Sequence, residues 1–297
     1  MKKKMTTLLR NLLKEEGPII MPSVGDCLSL RIIERAGFKV VLHGGFSTAA
    51  ILLGMPDVGL ITMSESVGFA RNMAACVKIP VICDVDEGFG SINNVIRTTR
   101  EVIRSGLAGM LIEDQVFPKR CPGIGGGNVV SCKEMLVKLR AVMKVRKEED
   151  PDFVIIARTY SSRVIGMDEA VKRGKAYAEA GADIIFVDLG YSDVVIEELK
   201  QISKGIGGYA HLIANMTETV GRPMLTDKEL FKMGFKIIFY PMTAIMTTAA
   251  ALKTIFTELK EKGTTKALVD KMMPFKELEE VLGVNTIRAQ EEEFSVK

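Results

Sequence analysis

The sequence predicts an α/β fold, a closed (β/α)8 barrel, and three observations carry the prediction. Eight short apolar runs recur along the chain without polar alternation, as parallel strands buried on both faces require. Segments of helical periodicity separate them. The 297 residues exceed an average domain but are ordinary for a barrel of this kind. A doubly wound open sheet is the alternative, although it rarely needs eight such regular repeats.

In chain order, Lys2, Lys3 and Lys4 precede an amphipathic N-terminal helix expected over residues 5–16, bearing Leu8, Leu9, Leu12 and Leu13. The apolar runs then fall at 19–22, 40–43, 81–84, 110–113, 154–158, 184–188, 211–215 and 237–240. Between them, helices are expected over 69–76, 94–104, 132–147 and 167–180, the last with Ala170, Ala176, Tyr177 and Ala180 on one face and Gly181 as its stop. Three further helical stretches follow the eighth run, at 243–262, 265–273 and 275–282, with Pro274 dividing the last two. Such an extension either covers its own barrel or packs on a neighbouring subunit. No low-complexity linker interrupts the chain, so residues 1–297 read as one barrel domain with a C-terminal helical extension over 243–297.

Composition narrows the chemistry. The 40 basic and 37 acidic residues nearly cancel to a net +3, and beyond the N-terminal lysines no basic patch suggests nucleic acid. Five scattered cysteines (Cys27, Cys76, Cys83, Cys121, Cys132) form no C-x-x-C pair, which argues against a disulfide framework or a zinc site and for a reducing cytoplasm. Four of them, all but Cys121, read as packing residues. With only His43 and His211 available, a metal must be held by oxygen, as Mg2+ or Mn2+ is. The N-terminus lacks a signal-peptide core, and no apolar run reaches the roughly 18–20 residues of a membrane span. A soluble, cytoplasmic protein is the expectation.

Reacting groups of such barrels gather at the C-terminal ends of the strands, and here those ends are polar. The third run leads into Asp84-Val85-Asp86-Glu87-Gly88-Phe89-Gly90, the fourth into Glu113-Asp114-Gln115, the fifth into Arg158-Thr159, the sixth into Asp188 and the seventh into Asn215-Met216-Thr217-Glu218. Carboxylates crowded on one rim repel each other unless a cation joins them. Asp84 and Asp86 share a strand face, which suits one metal ion and its water shell; capping of the next helix is the plainer reading of that pair. After the fourth run, Gly123, Gly125, Gly126 and Gly127 mark a mobile lid. Within it, Cys121 beside Lys119 and Arg120 has a setting expected to lower a thiol pKa.

These segments, with Leu53-Gly54-Met55-Pro56-Asp57, Pro118-Lys119-Arg120-Cys121, Ala157-Arg158-Thr159 and Ala214-Asn215-Met216-Thr217-Glu218, resemble the isocitrate lyase and phosphoenolpyruvate mutase superfamily over about residues 19–275. The likeness is to its methylisocitrate lyase and 2,3-dimethylmalate lyase branch. The resemblance implies a barrel whose last helix is swapped between subunits, a homotetramer built as a dimer of dimers, and Mg2+ at Asp84 and Asp86. It implies that Gly44 and Gly45 offer backbone N–H groups to a substrate carboxylate, with Arg158 as its charged partner. Asp57, Asp188, Asn215 and Thr217 complete the implied substrate site, Glu113 orients metal-bound water, and Cys121 gives a proton to the carbanion left by C–C cleavage.

Departures from the family pattern bear on substrate. Cys121 is followed by Pro122-Gly123, where the lyases carry glycine and histidine. Val41 stands in place of the usual tyrosine and His43 in place of serine or threonine. His43 thus has two readings, a replacement base or a hydrogen-bonding residue at the floor of the pocket. Met246 and Phe275 occupy the positions of two arginines that hold a third carboxylate in methylisocitrate lyases. A buried carboxylate without a partner costs several kcal/mol. The expectation is therefore a lyase for an alkyl-substituted malate such as dimethylmalate. Alternatives are an oxaloacetate hydrolase or decarboxylase, a phosphonopyruvate or phosphoenolpyruvate mutase-type enzyme, and a non-catalytic carboxylate-binding barrel.

Overall fold

The structure, a computed structural model, describes residues 4–190, 192 and 194–295; Lys2 and Lys3 lie outside it. The eight runs form strands β1 (Ile19–Val24), β2 (Val41–His43), β3 (Val81–Asp84), β4 (Gly109–Glu113), β5 (Val154–Thr159), β6 (Ile184–Val187), β7 (His211–Asn215) and β8 (Ile237–Tyr240). All pair in parallel and in sequence order, and β1 closes on β8 with Ile19 opposite Ile237 and Met21 opposite Phe239. Closure excludes the open sheet.

Because a strand turns successive side chains to opposite faces, each apolar run supplies two cores. Leu42, Ile82, Leu111, Ile156, Ile184, Phe186, Ile213 and Phe239 fill the barrel. Leu9, Leu12 and Leu13 join this cluster from the helix Met5–Lys14, which plugs the barrel's N-terminal end. Their neighbours Val41, Cys83, Ile112, Ile155 and Ile185 face outward into the layer beneath the helices. The amphipathic leader is thus part of the core, and it leaves the opposite end open for chemistry.

Helix boundaries follow their caps. The helix expected from residue 69 spans Met63–Cys76, because the Thr62 hydroxyl and the Glu65 carboxylate form a reciprocal capping box. The same pairing, Ser131 with Glu134, starts the helix Cys132–Glu149. In Met167–Glu179 the buried stripe is Ala170, Arg173, Gly174 and Tyr177, so an arginine takes a place expected for alanine. The stretch expected over 265–273 is only a 3-10 segment, Lys266–Lys271, and a further helix, Val284–Glu293, follows Gly283 within the helical extension expected over 243–297. Phe275–Leu282 covers its own barrel: Val281 is buried and its carbonyl accepts from Arg31 at 3.0 Å. The long helix Thr243–Lys262 buries none of its residues in this chain.

Candidate active site

The strand C-termini and the folded lid enclose a cavity of about 200 Å3. Gly44, Gly45, Asp57, Asp84, Cys121, Arg158, Asp188, Asn215 and Thr217, all expected from the sequence, line it. Asp86 and Glu113 stand one layer behind, joined to it through Lys119 and Arg158 respectively. His43 is not brought to the cavity.

The charged end is built on one cation. Lys119 Nζ lies 2.7 Å from Asp57 Oδ2 and 2.7 Å from Asp86 Oδ1, with the lysine side chain only 4% exposed. Asp86 has φ +50° and Phe89 φ +59°, so the chain leaves β3 through a left-handed turn that aims the Asp86 carboxylate back at Asp84. The Asp86 amide donates to Asp84 Oδ1 at 3.0 Å and the Glu113 amide to the Asp86 carbonyl at 2.8 Å, which hold that turn. Gly88 is required there, since a Cβ would stand 2.5 Å from Val95 Cγ2. Burial pushes the Asp86 carboxyl well above the ordinary carboxylate range against the pull of Lys119, and Asp84, Asp57 and Glu113 push the same way. Burial likewise raises Glu113 to about 7, opposed by Arg158 and Lys119.

This donor set suits a hard dication. A Cβ built on Gly45 would meet Asp86 Oδ1 at 3.2 Å, Asp84 Oδ2 at 3.6 Å and Lys119 Nζ at 3.1 Å, so two carboxylate oxygens converge on space that only glycine leaves open. Among the described residues no third His, Cys, Asp or Glu completes an all-protein cage. Two carboxylates with the remaining positions left to water and substrate are what Mg2+ commonly takes.

Arg158 organises the opposite wall. Its Nη2 donates to Asp188 Oδ2 at 2.5 Å, its Nε lies 3.4 Å from Glu113 Oε2, and its guanidinium stacks 5.1 Å from the Phe186 ring centroid. The Thr217 hydroxyl donates to Asn215 Oδ1 at 3.0 Å. The Gly45 amide reaches Asp84 Oδ2 and the Gly44 amide the Val24 carbonyl, each only at 3.4 Å, long bonds that leave both donors easily redirected. Leu42, Phe46, Phe186, Phe239 and Met242 make the remaining wall apolar. Met246 and Phe275 are exposed in this chain and line no part of it.

The lid is folded over the mouth, and its glycines serve close approach more than freedom. A Cβ on Gly127 would fall 2.6 Å from Gln115 Oε1, and one on Gly126 would fall 2.3 Å from the Tyr160 hydroxyl. The Cys121 amide donates to the Asp57 carbonyl at 3.0 Å. The Cys121 thiol overturns the expected lowering: burial pushes it up to about 11, with the Gly123 backbone, Arg158 and Lys119 opposing. Lys119 cannot reverse this because its charge is committed to Asp57 and Asp86, and the Arg120 side chain is exposed to solvent.

His43 points from β2 into the layer between sheet and helices, where Thr48 Oγ1 lies 2.8 Å from Nε2 and Cys83 Sγ 3.7 Å from Nδ1. Strand alternation decides this, since Leu42 and Gly44 take the cavity side. Both readings of His43 in the pocket are thereby corrected. Burial lowers its pKa from 6.5 to about 4, against the pull of Asp84. The folded value lies below the unfolded one, so this stabilisation is complete above pH 6.5 and is lost as pH falls toward about 4. Denaturant unfolding of wild type and His43→Gln at pH 7 and pH 4 should show wild type losing about 3 kcal/mol more than the variant. The raised Glu113 acts in the opposite sense but is common to both proteins. Equal losses would remove His43 as a buried neutral group.

Lys119 and Gln115 are site residues that the sequence reading did not single out. Gln115, fully buried, donates to Glu113 Oε2 at 3.1 Å and accepts from the Arg120 amide at 3.1 Å, so it ties lid to acid cluster. The available signal was the lysine two positions before Cys121, in a loop facing several carboxylates.

The phosphoenolpyruvate phosphomutase family model matches residues 9–260. The chain is 39% identical to a 2,3-dimethylmalate lyase of Eubacterium barkeri, covering 97% of each chain. It is 36% identical to a 2-methylisocitrate lyase of Aeropyrum pernix, covering 98% of this chain and 91% of that one. Among solved structures it superposes on an oxaloacetate acetylhydrolase bound to 3,3-difluorooxalacetate with TM-score 0.92 and 30% identity, covering 99% and 98% of the two chains.

Proposed function

The chain belongs to the phosphoenolpyruvate phosphomutase family, within the isocitrate lyase superfamily, and from that premise we propose a Mg2+-dependent lyase that splits an alkyl-substituted 2-hydroxydicarboxylate of the 2,3-dimethylmalate type. The products are a 2-oxo acid such as pyruvate and a second carboxylate. The observation that carries this reading is the division of the cavity, polar at the Gly44 and Gly45 amides and at Asp84 and Arg158, and apolar at Leu42, Phe46, Phe186, Phe239 and Met242. A third substrate carboxylate finds no uncommitted cation among the described lining residues. Lys119 is held by Asp57 and Asp86, and Arg158, shared with Asp188 and Glu113, is the cation assigned to the carboxylate of the 2-oxo acid half. Alkyl groups, in contrast, match the apolar wall.

Asp84 and Asp86 would hold the metal, Mn2+ being an alternative ion, and Glu113 would orient water beside it. When bound, the cation supplies Lewis-acid stabilisation to the 2-oxo acid half. Arg158, with the redirected amides of Gly44 and Gly45, binds that half's carboxylate. Asn215, Thr217 and Asp188 hold the other half. As the C2–C3 bond breaks, the C2 hydroxyl gives up its proton to water and becomes the 2-oxo group, the bonding electron pair stays on C3, and the Cys121 thiol supplies the proton there, the released proton restoring the thiol. A thiol raised to about 11 is fully protonated near neutrality, as a donor must be.

Malate, 2-methylmalate, 2,3-dimethylmalate, 2-methylisocitrate and oxaloacetate, each assayed with Mg2+ for pyruvate or oxalate release, separate the readings. Preferred turnover of dimethylmalate is expected. Oxalate from oxaloacetate as the dominant product would replace the lyase reading with that of a hydrolase. Gly45→Ala tests the cation cradle, because its methyl enters the space shared by Asp84 and Asp86. Calorimetric titration should show Mg2+ affinity reduced about tenfold or more, by lost coordination geometry. Unchanged affinity would move the ion elsewhere.

The apolar residues that Thr243–Lys262 leaves exposed, Leu252 and Phe256 among them, support a helix-swapped homotetramer. Among the described residues no helix is long and apolar enough to cross a membrane, in keeping with the proposed cytoplasmic location.

A further inference from the structure

Asp114 follows Glu113, is fully buried, and has no part in the chemistry proposed above. Its carboxylate accepts from the Thr159 hydroxyl at 2.6 Å and the Tyr160 amide at 3.0 Å, both at the end of β5. It also accepts from Arg173 Nη1 and the Tyr177 hydroxyl, each at 2.9 Å, from one face of the helix Met167–Glu179. Arg173 Nη1 donates to the Val130 carbonyl as well, at 2.8 Å, and the Val130 amide returns to the Asp114 carbonyl at 2.8 Å. Val130 is where the lid rejoins the barrel, next to the Gln115–Val129 bridge. Tyr160 in turn lies directly against Gly126 of the lid.

A planar guanidinium fixes the directions of its donors, which a lysine ammonium does not. We propose that Asp114 and Arg173 are positioning residues that anchor the lid, clamping its root at Val130 to the strand ends carrying Glu113 and Arg158 so that Cys121 closes over the cavity. This rests on the reading of the glycine-rich segment as the lid of the active site. The test needs no substrate, so it stands or falls separately from the lyase assignment.

Arg173→Lys keeps a cation against Asp114 but gives up the Val130 carbonyl. Alkylation by iodoacetamide, followed cysteine by cysteine by mass spectrometry in the full-length protein, reports lid opening at Cys121. Fully buried Cys83 reports global unfolding. In Arg173→Lys the Cys121 rate should rise about tenfold while Cys83 stays protected, the pattern of local rather than global opening. Tyr177→Phe, which removes a donor to Asp114 without touching Val130, should leave the Cys121 rate within about twofold of wild type by the same logic. An unchanged Cys121 rate in Arg173→Lys overturns the anchor. So does a rise that Cys83 shares, or an equal rise in Tyr177→Phe.

Discussion

Asp86→Asn is expected to lower kcat/KM by about a thousandfold or more and to abolish measurable Mg2+ binding, while the protein stays folded. The carboxylate is one of two that converge above Gly45, and an amide oxygen of the same shape carries no charge to hold a dication. A thousandfold corresponds to about 4 kcal/mol of transition-state stabilisation, within what a Lewis-acidic ion supplies. Stability should move far less. Lys119 keeps its 2.7 Å contact with Asp57, and the buried Asp86 carboxyl is already strained by desolvation and by three neighbouring carboxylates. Asparagine also tolerates the left-handed backbone at φ +50°, whereas Asp86→Ala adds about 1 kcal/mol of backbone cost there. Asparagine is therefore the cleaner test. Calorimetric Mg2+ titration and turnover, compared with wild type, check it; undiminished binding and activity would remove the metal from these residues.

The parts of this fold that were legible in the sequence share one physical cause. A parallel strand in a closed barrel is buried on both faces, so it must be apolar throughout, and 81–84, 211–215 and 237–240 could be delimited to the residue. The polar strand ends likewise revealed Asp84, Asp188 and Asn215 as cavity residues, and the family resemblance added Asp57. Their pairing was less visible, because a salt bridge between Lys119 and Asp86 depends on how a loop folds back and not on local periodicity. His43 failed for the opposite reason. Its position beside two glycines suggested the pocket, but the alternation of β2 turns it to the outer layer, and a residue at a strand's last position can be assigned to either side until the register is seen. Arg173 was hidden by a helix whose other buried positions, Ala170, Gly174 and Tyr177, carry no charge. Its hydrogen bonds to Asp114, Glu169 and the Val130 carbonyl explain why an arginine is tolerated there.

Cys121→Ser is expected to reduce kcat about a hundredfold to a thousandfold while leaving the affinity for oxalate, an unreactive 2-oxo acid analogue, within about twofold. The two side chains differ by one atom, and the lid contacts that bring residue 121 to the cavity come from its backbone, through the Asp57 carbonyl and the Ile124 and Gly126 amides. Binding geometry is therefore retained. Proton donation is not, because a serine hydroxyl is a far weaker acid than even a thiol raised to about 11. The raised value has a second consequence with a definite sign. The acid form is the active one, so raising the pH removes it only on approaching about 11. Wild-type kcat should show no alkaline loss from this group between pH 7 and 9. A thiol lowered by Lys119 and Arg120 would instead deprotonate within that range and switch the enzyme off. Normal turnover by the serine variant, or an alkaline limb near pH 8 that vanishes in it, would require a different proton donor or a different thiol environment.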